Sequence, residues 1–157
     1  MSDKTVYEKI CEFLNENAIE YKAISHEPTY TSEESAKARG EDLSIGGKAI
    51  LMKIDDNFYL FVISASRKLN SKKIKEYLKS KKLRFCTSQE LFDLSQLVPG
   101  SVPPFGQPIL PFKLFLDKSI LNNDRIAFNA GSLTNSIIFK TQDYIKVANP
   151  EIFDFSE

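Results

Sequence analysis

Two adjacent segments near the middle of the chain predict a pair of neighbouring strands, and this pair constrains the fold more than any other feature. Side chains alternate between residues 47 and 54, so one face of this strand carries Lys48 among large apolar residues. Residues 58–63 form a continuous apolar run, which is typical of a strand buried on both faces. The residues between them, Asp-Asp-Asn at 55–57, favour a turn. The sequence therefore predicts a central hairpin within a sheet.

Patterns typical of helices and strands follow one another along the rest of the chain. Capping-box spacing predicts helices that begin after Thr5, Thr31 and Thr87. Gly40 favours the end of the second of these helices. Further strands are expected at 19–24, 83–86, 112–117, 125–129 and 136–140, and further helices at 71–79 and after Thr141 as a cap. This order predicts one domain over residues 1–157, with a mixed sheet and peripheral helices, in the α+β or irregular α/β class.

Positive charge is concentrated in one segment, although the formal net charge of the whole chain is zero. Residues 67–84 contain nine basic residues and one acidic residue, so this segment carries +8 and the rest of the chain carries −8. Such a density of lysine and arginine suits contact with several phosphates of a nucleic acid, and it equally suits a solvated helix face. Tyr77 and Phe85 are expected in the core rather than as platforms that stack on bases.

Cysteine content and hydropathy exclude several classes of protein. Cys11 and Cys86 are too few for a disulfide framework or a four-ligand zinc site, and both are expected to be small buried hydrophobic residues. No apolar run approaches the ~20 residues of a membrane helix, and residues 1–5 lack the order of a secretory signal. We therefore expect a soluble, cytoplasmic protein without a membrane partner.

Several catalytic motifs are missing, and their absence narrows the chemistry. The single histidine, His26, is followed by Glu-Pro, so there is no HExxH zinc motif, and Gly-x-Ser-x-Gly does not occur. The segment 46–48, Gly-Gly-Lys, resembles the end of a phosphate-binding P-loop, but Ala49 stands where that motif requires a hydroxyl. An enzyme with this sequence would act on a bond labile enough to yield to positioning and electrostatics.

Lys48 is the first candidate for a functional residue. A lysine at the end of a strand ordinarily extends its ammonium into water. A lysine that enters a pocket from an apolar strand face would instead present a poorly solvated ammonium, which attracts phosphate or carbonyl oxygen. The sequence leaves both interpretations open.

The second candidate is the proline-rich loop at 98–108, which contains four prolines and two glycines and is a stiff connection. Its prolines remove backbone donors and hold carbonyl oxygens outward, while Gly100 lets a ligand approach the main chain closely. Such a loop is either a rigid link between helix and strand or a receptor for an amino group or hydroxyl. His26, a lone histidine beside a proline turn, has the setting in which histidine is most often structural, and Thr31, Asn129 and Gly131 are open between structural and functional roles.

These features together resemble one known family, the YbaK/ProX-type aminoacyl-tRNA deacylases, which are related to the editing domain inserted in bacterial prolyl-tRNA synthetases. The resemblance spans nearly the whole chain. A strand lysine followed some fifty residues later by a GxxxP loop is its most specific part. It is carried, in order, by His26-Glu-Pro28 with Thr31-Ser-Glu-Glu-Ser-Ala36, by Gly47-Lys48-Ala-Ile-Leu-Met-Lys53, by Gly100-Ser-Val-Pro-Pro104 and by Phe128-Asn-Ala-Gly131.

The resemblance implies an α+β fold with a central mixed, partly barrel-like sheet, and hydrolysis of the ester that joins a mischarged amino acid to the 3′ adenosine of tRNA. Lys48 would be the essential catalytic lysine that positions the substrate, and a vicinal hydroxyl of the tRNA would help to activate water. No cofactor or metal is expected. The implied substrate-binding residues are Gly100, Ser101, Val102, Pro103, Pro104, Phe105, His26, Thr31, Asn129 and Gly131, and the implied tRNA contacts are Arg67, Lys68, Lys72 and Lys73.

Departures from the family pattern bear on the substrate. In the alanine-specific branch the essential lysine is followed by asparagine, whereas Ala49 follows Lys48 here. The Ser-Val-Pro-Pro-Phe form of the loop resembles free-standing branches, some of which act on seryl- or threonyl-tRNA. The expected partners are the acceptor end of a mischarged tRNA and an aminoacyl-tRNA synthetase, and not DNA. Two other functions stay open, namely a non-catalytic module that binds tRNA or a synthetase and a sensor of a free amino acid.

Overall fold

Eight strands and five α-helices occur in residues 4–157, the part of the chain that this computed structural model describes. Residues 1–3, which belong to the segment considered above for a secretory signal, lie outside this range. The strands are β1 (Tyr21–Ser25), β2 (Gly47–Ile54), β3 (Asn57–Ser64), β4 (Leu83–Phe85), β5 (Lys113–Asp117), β6 (Arg125–Asn129), β7 (Asn135–Lys140) and β8 (Glu151–Phe153). The helices are α1 (Val6–Glu16), α2 (Ser32–Arg39), α3 (Ser71–Leu78), α4 (Ser88–Ser95) and α5 (Thr141–Ala148), with 3-10 turns at Leu43–Ile45 and Lys118–Asn122. None of the helices in this range has both the length and the apolar character needed to cross a membrane.

The strands form a five-stranded sheet in the order β4-β2-β3-β5-β8 and a three-stranded sheet in the order β1-β7-β6. The hairpin of β2 and β3 lies at the centre of the larger sheet, as predicted. That sheet is mixed, because β3 pairs with β5 and β5 pairs with β8 in parallel. The α+β prediction is confirmed.

The partly barrel-like expectation was wrong, because the two sheets do not close on one another. Among residues 4–157, one isolated bridge between Gly46 and Ala127 connects the larger sheet to the smaller one. Strands β4 and β8 remain free edges of the larger sheet, and β1 and β6 remain free edges of the smaller sheet. The break between the sheets leaves room for a cavity beside Gly46.

Two apolar clusters cover the two faces of the hairpin. Leu51 and Leu60 belong to the larger cluster, while Met52 and Phe61 belong to the smaller one beneath α3. This alternation confirms that β3 is buried on both faces, and each such side chain contributes ~1.5–3 kcal/mol by leaving water. Lys48 points to the same face of β2 as Met52. It lies at the start of the strand, beyond the last buried apolar side chain on that face.

The helix ends follow local hydrogen-bonding rules, with one exception. The capping boxes at Thr5 and Thr87 are confirmed, and Gly40 ends α2 with a left-handed φ of 71°. Thr31 caps α2, but the reciprocal bond of the predicted capping box is replaced by one from the backbone of Tyr30 to Glu34 Oε1 at 3.4 Å. Thr141 is not a cap, because helix α5 begins at this residue and the N-cap position belongs to the preceding lysine. The Thr141 hydroxyl is consequently buried without a hydrogen-bond partner within residues 4–157.

Four side chains predicted to be buried are more exposed than the sequence indicates. The rings of Tyr77 and Phe85 are 46% and 57% exposed, so their prediction as core residues was wrong. Tyr77 lies flat against Phe153 at the edge of the sheet, with ring centroids 3.8 Å apart, so one face of its ring is covered. Phe85 lies on β4, an edge strand with one neighbour. Cys11 and Cys86 are only partly buried, although both pack against the larger apolar cluster.

We expect the substitution Glu90→Gln to make stability less dependent on pH in acid. Arg84 donates two hydrogen bonds to the Glu90 carboxylate, at 2.7 and 2.8 Å, and so ties β4 to α4. These bonds, with a further one from the Thr87 backbone, lower the pKa of Glu90 from its usual 4.5 to about 2. Because the folded pKa lies below the unfolded one, the carboxylate stabilises the fold above pH 4.5 and loses that contribution as the pH falls through about 2.

The measurement is the urea midpoint at a series of values from about pH 6 to about pH 3. The midpoint should fall more steeply for the wild type than for Glu90→Gln. Glu76→Gln, on an exposed position of α3, is the control and should follow the wild type. Equal slopes for all three proteins would contradict the role of the Arg84 pair.

Candidate active site

A cavity of about 410 Å³ opens where α2, the start of β2 and the proline-rich loop meet. This volume falls within the ~300–1,000 Å³ that is common for small-molecule sites. Five of the predicted site residues line it together, although they come from four separate parts of the chain. These residues are Thr31, Lys48, Gly100, Val102 and Asn129.

Helix α2 presents a polar stripe to this cavity. Thr31, Ser35 and Arg39 follow one another at intervals of four residues, which places them on one helical face. All three line the cavity. The Thr31 hydroxyl accepts from the backbone of Glu34, at 3.1 Å, because it caps the helix. The cavity wall is therefore built on a capped, rigid element rather than on a mobile loop.

Lys48 lies at the mouth of the cavity with an exposed side chain. No hydrogen bond or ion pair holds its ammonium within residues 4–157. The preceding residue, Gly47, fixes the start of β2 against the smaller sheet, because a Cβ there would lie 2.7 Å from Ile126 Cδ1. A larger residue would push the strand away from β6. The structure thus positions the Lys48 backbone firmly while leaving its charge available to a ligand.

The proline-rich loop contributes two residues to the lining, Gly100 and Val102. Gly100 has a φ of +90°, a conformation that strains residues with a Cβ. Its carbonyl oxygen accepts a hydrogen bond of 2.7 Å from Asn129 Nδ2. A carbonyl has a second lone pair, so this oxygen can also accept from a ligand.

The other loop residues predicted to bind substrate anchor the loop in the protein. The Ser101 hydroxyl bonds the carbonyl of Val98 at 2.7 Å, and the Pro104 carbonyl accepts from the buried hydroxyl of Tyr144 at 2.6 Å. The Pro103 carbonyl accepts from the backbone of Phe105, whose ring packs in the core. Direct contact of these four residues with substrate stays a prediction, while their anchoring fixes Gly100 and Val102 in place.

Asn129, at the end of β6, joins the loop to α2. Its Oδ1 accepts from Arg39 Nη2 at 3.1 Å, while its Nδ2 donates to the Gly100 carbonyl. The orientation of this amide follows from chemistry, because a guanidinium only donates and a carbonyl only accepts. Nδ2 also lies 3.3 Å from Ser35 Oγ. One side chain therefore fixes two walls of the cavity relative to each other.

His26 lies behind this wall rather than on it. Its Nδ1 bonds the carbonyl of Glu27 and its Nε2 bonds Ser136 Oγ, each at 2.8 Å. Ser136 Oγ in turn accepts from Arg39 Nε at 2.9 Å. Because a carbonyl only accepts, Nδ1 donates to Glu27, while the one hydroxyl proton of Ser136 is shared between Nε2 and Asn129 Oδ1, which lies 3.2 Å away. The geometry gives His26 the position of a support for Arg39.

Gly131 also lies away from the cavity, in contact with α1. A Cβ on this glycine would lie 2.6 Å from Val6 Cγ1, and its φ is +73°. The tight turn after β6 therefore needs a glycine for packing. A role in binding substrate stays a prediction for Gly131.

The basic segment begins close to the cavity. Ala65 lines the cavity and donates to the Gly46 carbonyl at 2.8 Å, and the chain then continues to the exposed residues Arg67 and Lys68. Lys72 is also exposed, on α3. Lys73 differs from these residues, because its ammonium donates to Asp154 at 3.0 Å and to the Ser156 carbonyl at 2.7 Å. Part of the positive charge is thus neutralised by the C-terminal segment.

Sequence patterns missed several polar residues of this site, among them Arg39 and Ser35 in the cavity lining and Ser136 behind it. An arginine in the last turn of a helix has an ordinary explanation, since it interacts favourably with the helix dipole. The spacing of Thr31, Ser35 and Arg39 was the available signal, because polar residues at every fourth position of a helix are unusual on a face that turns inward.

The cavity has the means to bind and polarise a carbonyl compound. Among the described residues that line it, none is a histidine or a cysteine, the acid is Glu33, and no hydrogen bond joins a lining hydroxyl to that carboxylate. The hydroxyls of Thr31 and Ser35 are hydrogen-bonded within α2 and to Thr29, and neither is paired with a base. The two cations, Lys48 and Arg39, can instead stabilise negative charge on oxygen. This arrangement suits attack by water on an activated ester.

Comparison with known protein families shows to which family this chain belongs. The family described as the aminoacyl-tRNA editing domain matches residues 26–147, which include every residue that lines the cavity. The chain belongs to this family of editing domains. The resemblance to YbaK/ProX-type proteins that the sequence motifs indicate is confirmed.

Individual relatives of this editing domain support the same relationship. The chain is 28% identical over 155 residues to the multifunctional Ser/Thr-tRNA deacylase ProXp-y of Escherichia coli K12, covering 95% of this chain and 92% of that protein. It is 25% identical over 139 residues to the prolyl-tRNA editing protein ProX of Acetoanaerobium sticklandii, with 85% of each chain covered. A solved structure, described as a candidate trans-editing enzyme for prolyl-tRNA synthetase, shares the fold with a TM-score of 0.85, at 21% identity and 99% coverage of both chains.

Proposed function

We propose that this editing domain is a trans-acting hydrolase that deacylates mischarged aminoacyl-tRNA in the cytoplasm. It cleaves the ester at the 3′ adenosine, and the acyl group is a small amino acid such as serine, threonine or alanine. The observation that carries the proposal is that Lys48, which is exposed and positively charged, and Gly100 line the same cavity. The family match adds that the chain is an editing domain.

Positioning of the substrate and electrostatic stabilisation are sufficient for this reaction. An aminoacyl ester is activated, so its hydrolysis needs a smaller rate acceleration than that of an amide. Lys48 attracts the substrate at the mouth of the cavity, and the second lone pair of the Gly100 carbonyl can accept from the α-ammonium or a side-chain hydroxyl. A vicinal hydroxyl of the tRNA helps to activate water. The lack of a nucleophile paired with a base is consistent with this mechanism.

Serine and threonine are the acyl groups we favour. Ala49 follows Lys48 where the alanine-specific branch has asparagine. The relative from Escherichia coli, matched over 95% of this chain, is a Ser/Thr-tRNA deacylase. Hydroxyl groups near the cavity, including that of Ser35, suit a polar side chain. A site that bonds a substrate hydroxyl discriminates strongly against an analogue that lacks it.

The tRNA contact that we propose is the exposed part of the basic segment, at Arg67, Lys68 and Lys72. Arg67 and Lys68 come shortly after Ala65, which lines the cavity, and Lys72 lies in the first turn of α3, so a tRNA whose 3′ end enters the cavity can lay its acceptor stem along them. Lys73 contributes less, because Asp154 already binds its ammonium. A prolyl-tRNA synthetase is a second partner that we propose, since the family includes editing proteins named for it.

The decisive experiment is a panel of mischarged tRNAs. We expect the wild type to release serine and threonine from seryl- and threonyl-tRNA at low enzyme concentration, alanine more slowly, and a large apolar amino acid not at all. Amino acid release, followed with radiolabelled acyl groups, is the measurement. Lys48→Ala should release each amino acid at least about 100-fold more slowly than the wild type.

A non-catalytic module that binds tRNA is the second candidate, and the exposed basic residues Arg67, Lys68 and Lys72 favour it. In that case no tRNA in the panel would lose its amino acid, while binding would weaken by orders of magnitude between ~0.05 and ~0.2 M salt. A sensor of free amino acids would behave differently again, since its thermal midpoint would rise with the amino acid and ignore tRNA.

A further inference from the structure

Arg39 is a cation in the cavity wall whose hydrogen-bonding partners are all neutral. Its guanidinium donates through Nε to Ser136 Oγ and through Nη2 to Asn129 Oδ1. The nearby acid Glu41 is held by Arg125 instead, at 2.7 and 3.2 Å. Within residues 4–157 no carboxylate forms a salt bridge with Arg39.

The third nitrogen of this guanidinium, Nη1, has no acceptor within the described residues. It lies beside Gly46, because a Cβ built on that glycine would be 3.7 Å from it. Gly46 and Arg39 both line the cavity. Two N–H groups of a charged side chain therefore remain for a ligand at this wall.

The charge on Arg39 persists at neutral pH although the side chain is partly buried. Burial lowers the pKa of Arg39 to about 10, and the negative charge of Glu41 opposes that shift. A cation that has lost part of its hydration and has only neutral partners gains from an additional oxygen ligand with negative charge.

Arg39 is also better fixed than Lys48. Its Nε and Nη2 bonds hold the guanidinium plane, whereas the Lys48 ammonium is exposed on a flexible stem. Donors that are held in place before the reaction stabilise a developing charge most effectively, because they need no reorganisation. Because Arg39 is more buried and more firmly held than Lys48, it is the cation better suited to contact the reacting carbonyl group.

We propose that Arg39 binds the carbonyl oxygen of the aminoacyl ester through Nη1 and stabilises the negative charge that develops there during hydrolysis. Water oxygen bonds to the carbonyl carbon, and the π electron pair moves to the carbonyl oxygen facing Arg39. When this pair returns, the bond to the ribose oxygen breaks, and that oxygen takes the proton that the water has lost. The products are the free amino acid and deacylated tRNA. This inference rests on the proposed deacylase function.

The test compares Arg39→Gln and Arg39→Lys with the wild type in single-turnover deacylation of seryl-tRNA. We expect the rate constant to fall about tenfold or more in Arg39→Gln, with the Kd for tRNA changed by less than about twofold. Arg39→Lys should not restore the rate, because the three N–H groups of an ammonium share one nitrogen and cannot reproduce the planar spread of donors that reaches Ser136, Asn129 and the substrate. Added guanidinium ion should partly restore an Arg39→Ala variant. Arg84→Gln, which removes an exposed arginine that is paired with Glu90 and does not line the cavity, is the matched control and should react at the wild-type rate.

A second substrate separates the ester carbonyl from the phosphates of tRNA. The ester of serine with adenosine has no phosphate, so the Arg39→Gln defect should persist with it. A defect that disappears with this substrate, a loss in tRNA affinity alone, or a wild-type rate in Arg39→Gln would each overturn the proposal. An inactive wild type would instead contradict the deacylase function itself, so the two failures are distinguishable. Thermal midpoints identify any variant that is not folded. If Arg39→Gln does not fold, the rate of Arg39→Lys is compared with that of the wild type instead.

Discussion

Replacement of Lys48 by alanine should lower kcat/KM for seryl-tRNA by about 100-fold or more, because the ammonium at the cavity mouth positions the aminoacyl end of the tRNA and a misplaced reacting group loses about that much rate. The side chain lines the cavity at its mouth and makes no hydrogen bond or ion pair within residues 4–157. Its loss should therefore change the free energy of unfolding by no more than about 0.5 kcal/mol, as is usual for exposed positions. The measurements are initial rates over a range of tRNA concentrations and a thermal melt.

The matched control for this prediction is Lys53→Ala, on the same strand. Lys53 lies at the opposite end of β2, where its ammonium sits over the ring of Phe58 at 5.8 Å. Both variants remove one positive charge, so any general effect of charge on tRNA binding is shared between them. If Lys53→Ala loses as much activity as Lys48→Ala, the charge of the protein matters and the position of Lys48 does not.

The second large effect is expected from Asn129→Ala. This variant removes the donor to the Gly100 carbonyl and the acceptor of Arg39 Nη2 at once. We expect a loss of roughly 100-fold in kcat/KM, because both walls of the cavity lose their mutual alignment. The free energy of unfolding should also fall by ~1–3 kcal/mol, since polar partners are left without hydrogen bonds.

Asn135→Ala is the control for Asn129→Ala. Asn135 is an asparagine at the start of the neighbouring strand β7, and its amide bonds the hydroxyls of Ser132 and Thr134 away from the cavity. This variant should be destabilised only slightly and should keep its activity. An Asn129→Ala protein that melts early but reacts normally when folded would show that the amide serves stability alone.

The fold and the broad location of the site were predictable because they depend on local patterns. Alternating and continuous apolar runs specify β2 and β3, and threonine followed by glutamate three residues later specifies the starts of α1 and α4. Lys48 and the loop at Gly100 were predictable because a strand lysine followed by a GxxxP loop is a recognisable motif. The gap between the sheets was not predictable, because it depends on which strand edges stay unpaired, and a pattern along one strand contains no such information.

The polar network behind the cavity was beyond sequence reasoning for a similar reason. Arg39, Asn129 and Ser136 are separated by up to 97 positions, and the hydrogen bonds between them exist only after folding. Tyr77 illustrates the converse error, since its helical position predicts burial. The ring instead packs one face on Phe153 and leaves the residue 46% exposed.

The most direct test of the central claim is a crystal structure with a stable analogue of the substrate, in which an amide replaces the ester between serine and 3′-amino-3′-deoxyadenosine. The seryl group should lie inside the cavity, with its carbonyl oxygen toward Arg39, its amino or hydroxyl group near the Gly100 carbonyl, and the Lys48 ammonium over the entrance. An analogue bound elsewhere on the surface, such as over α3, with the cavity unfilled, would contradict the assignment of this site.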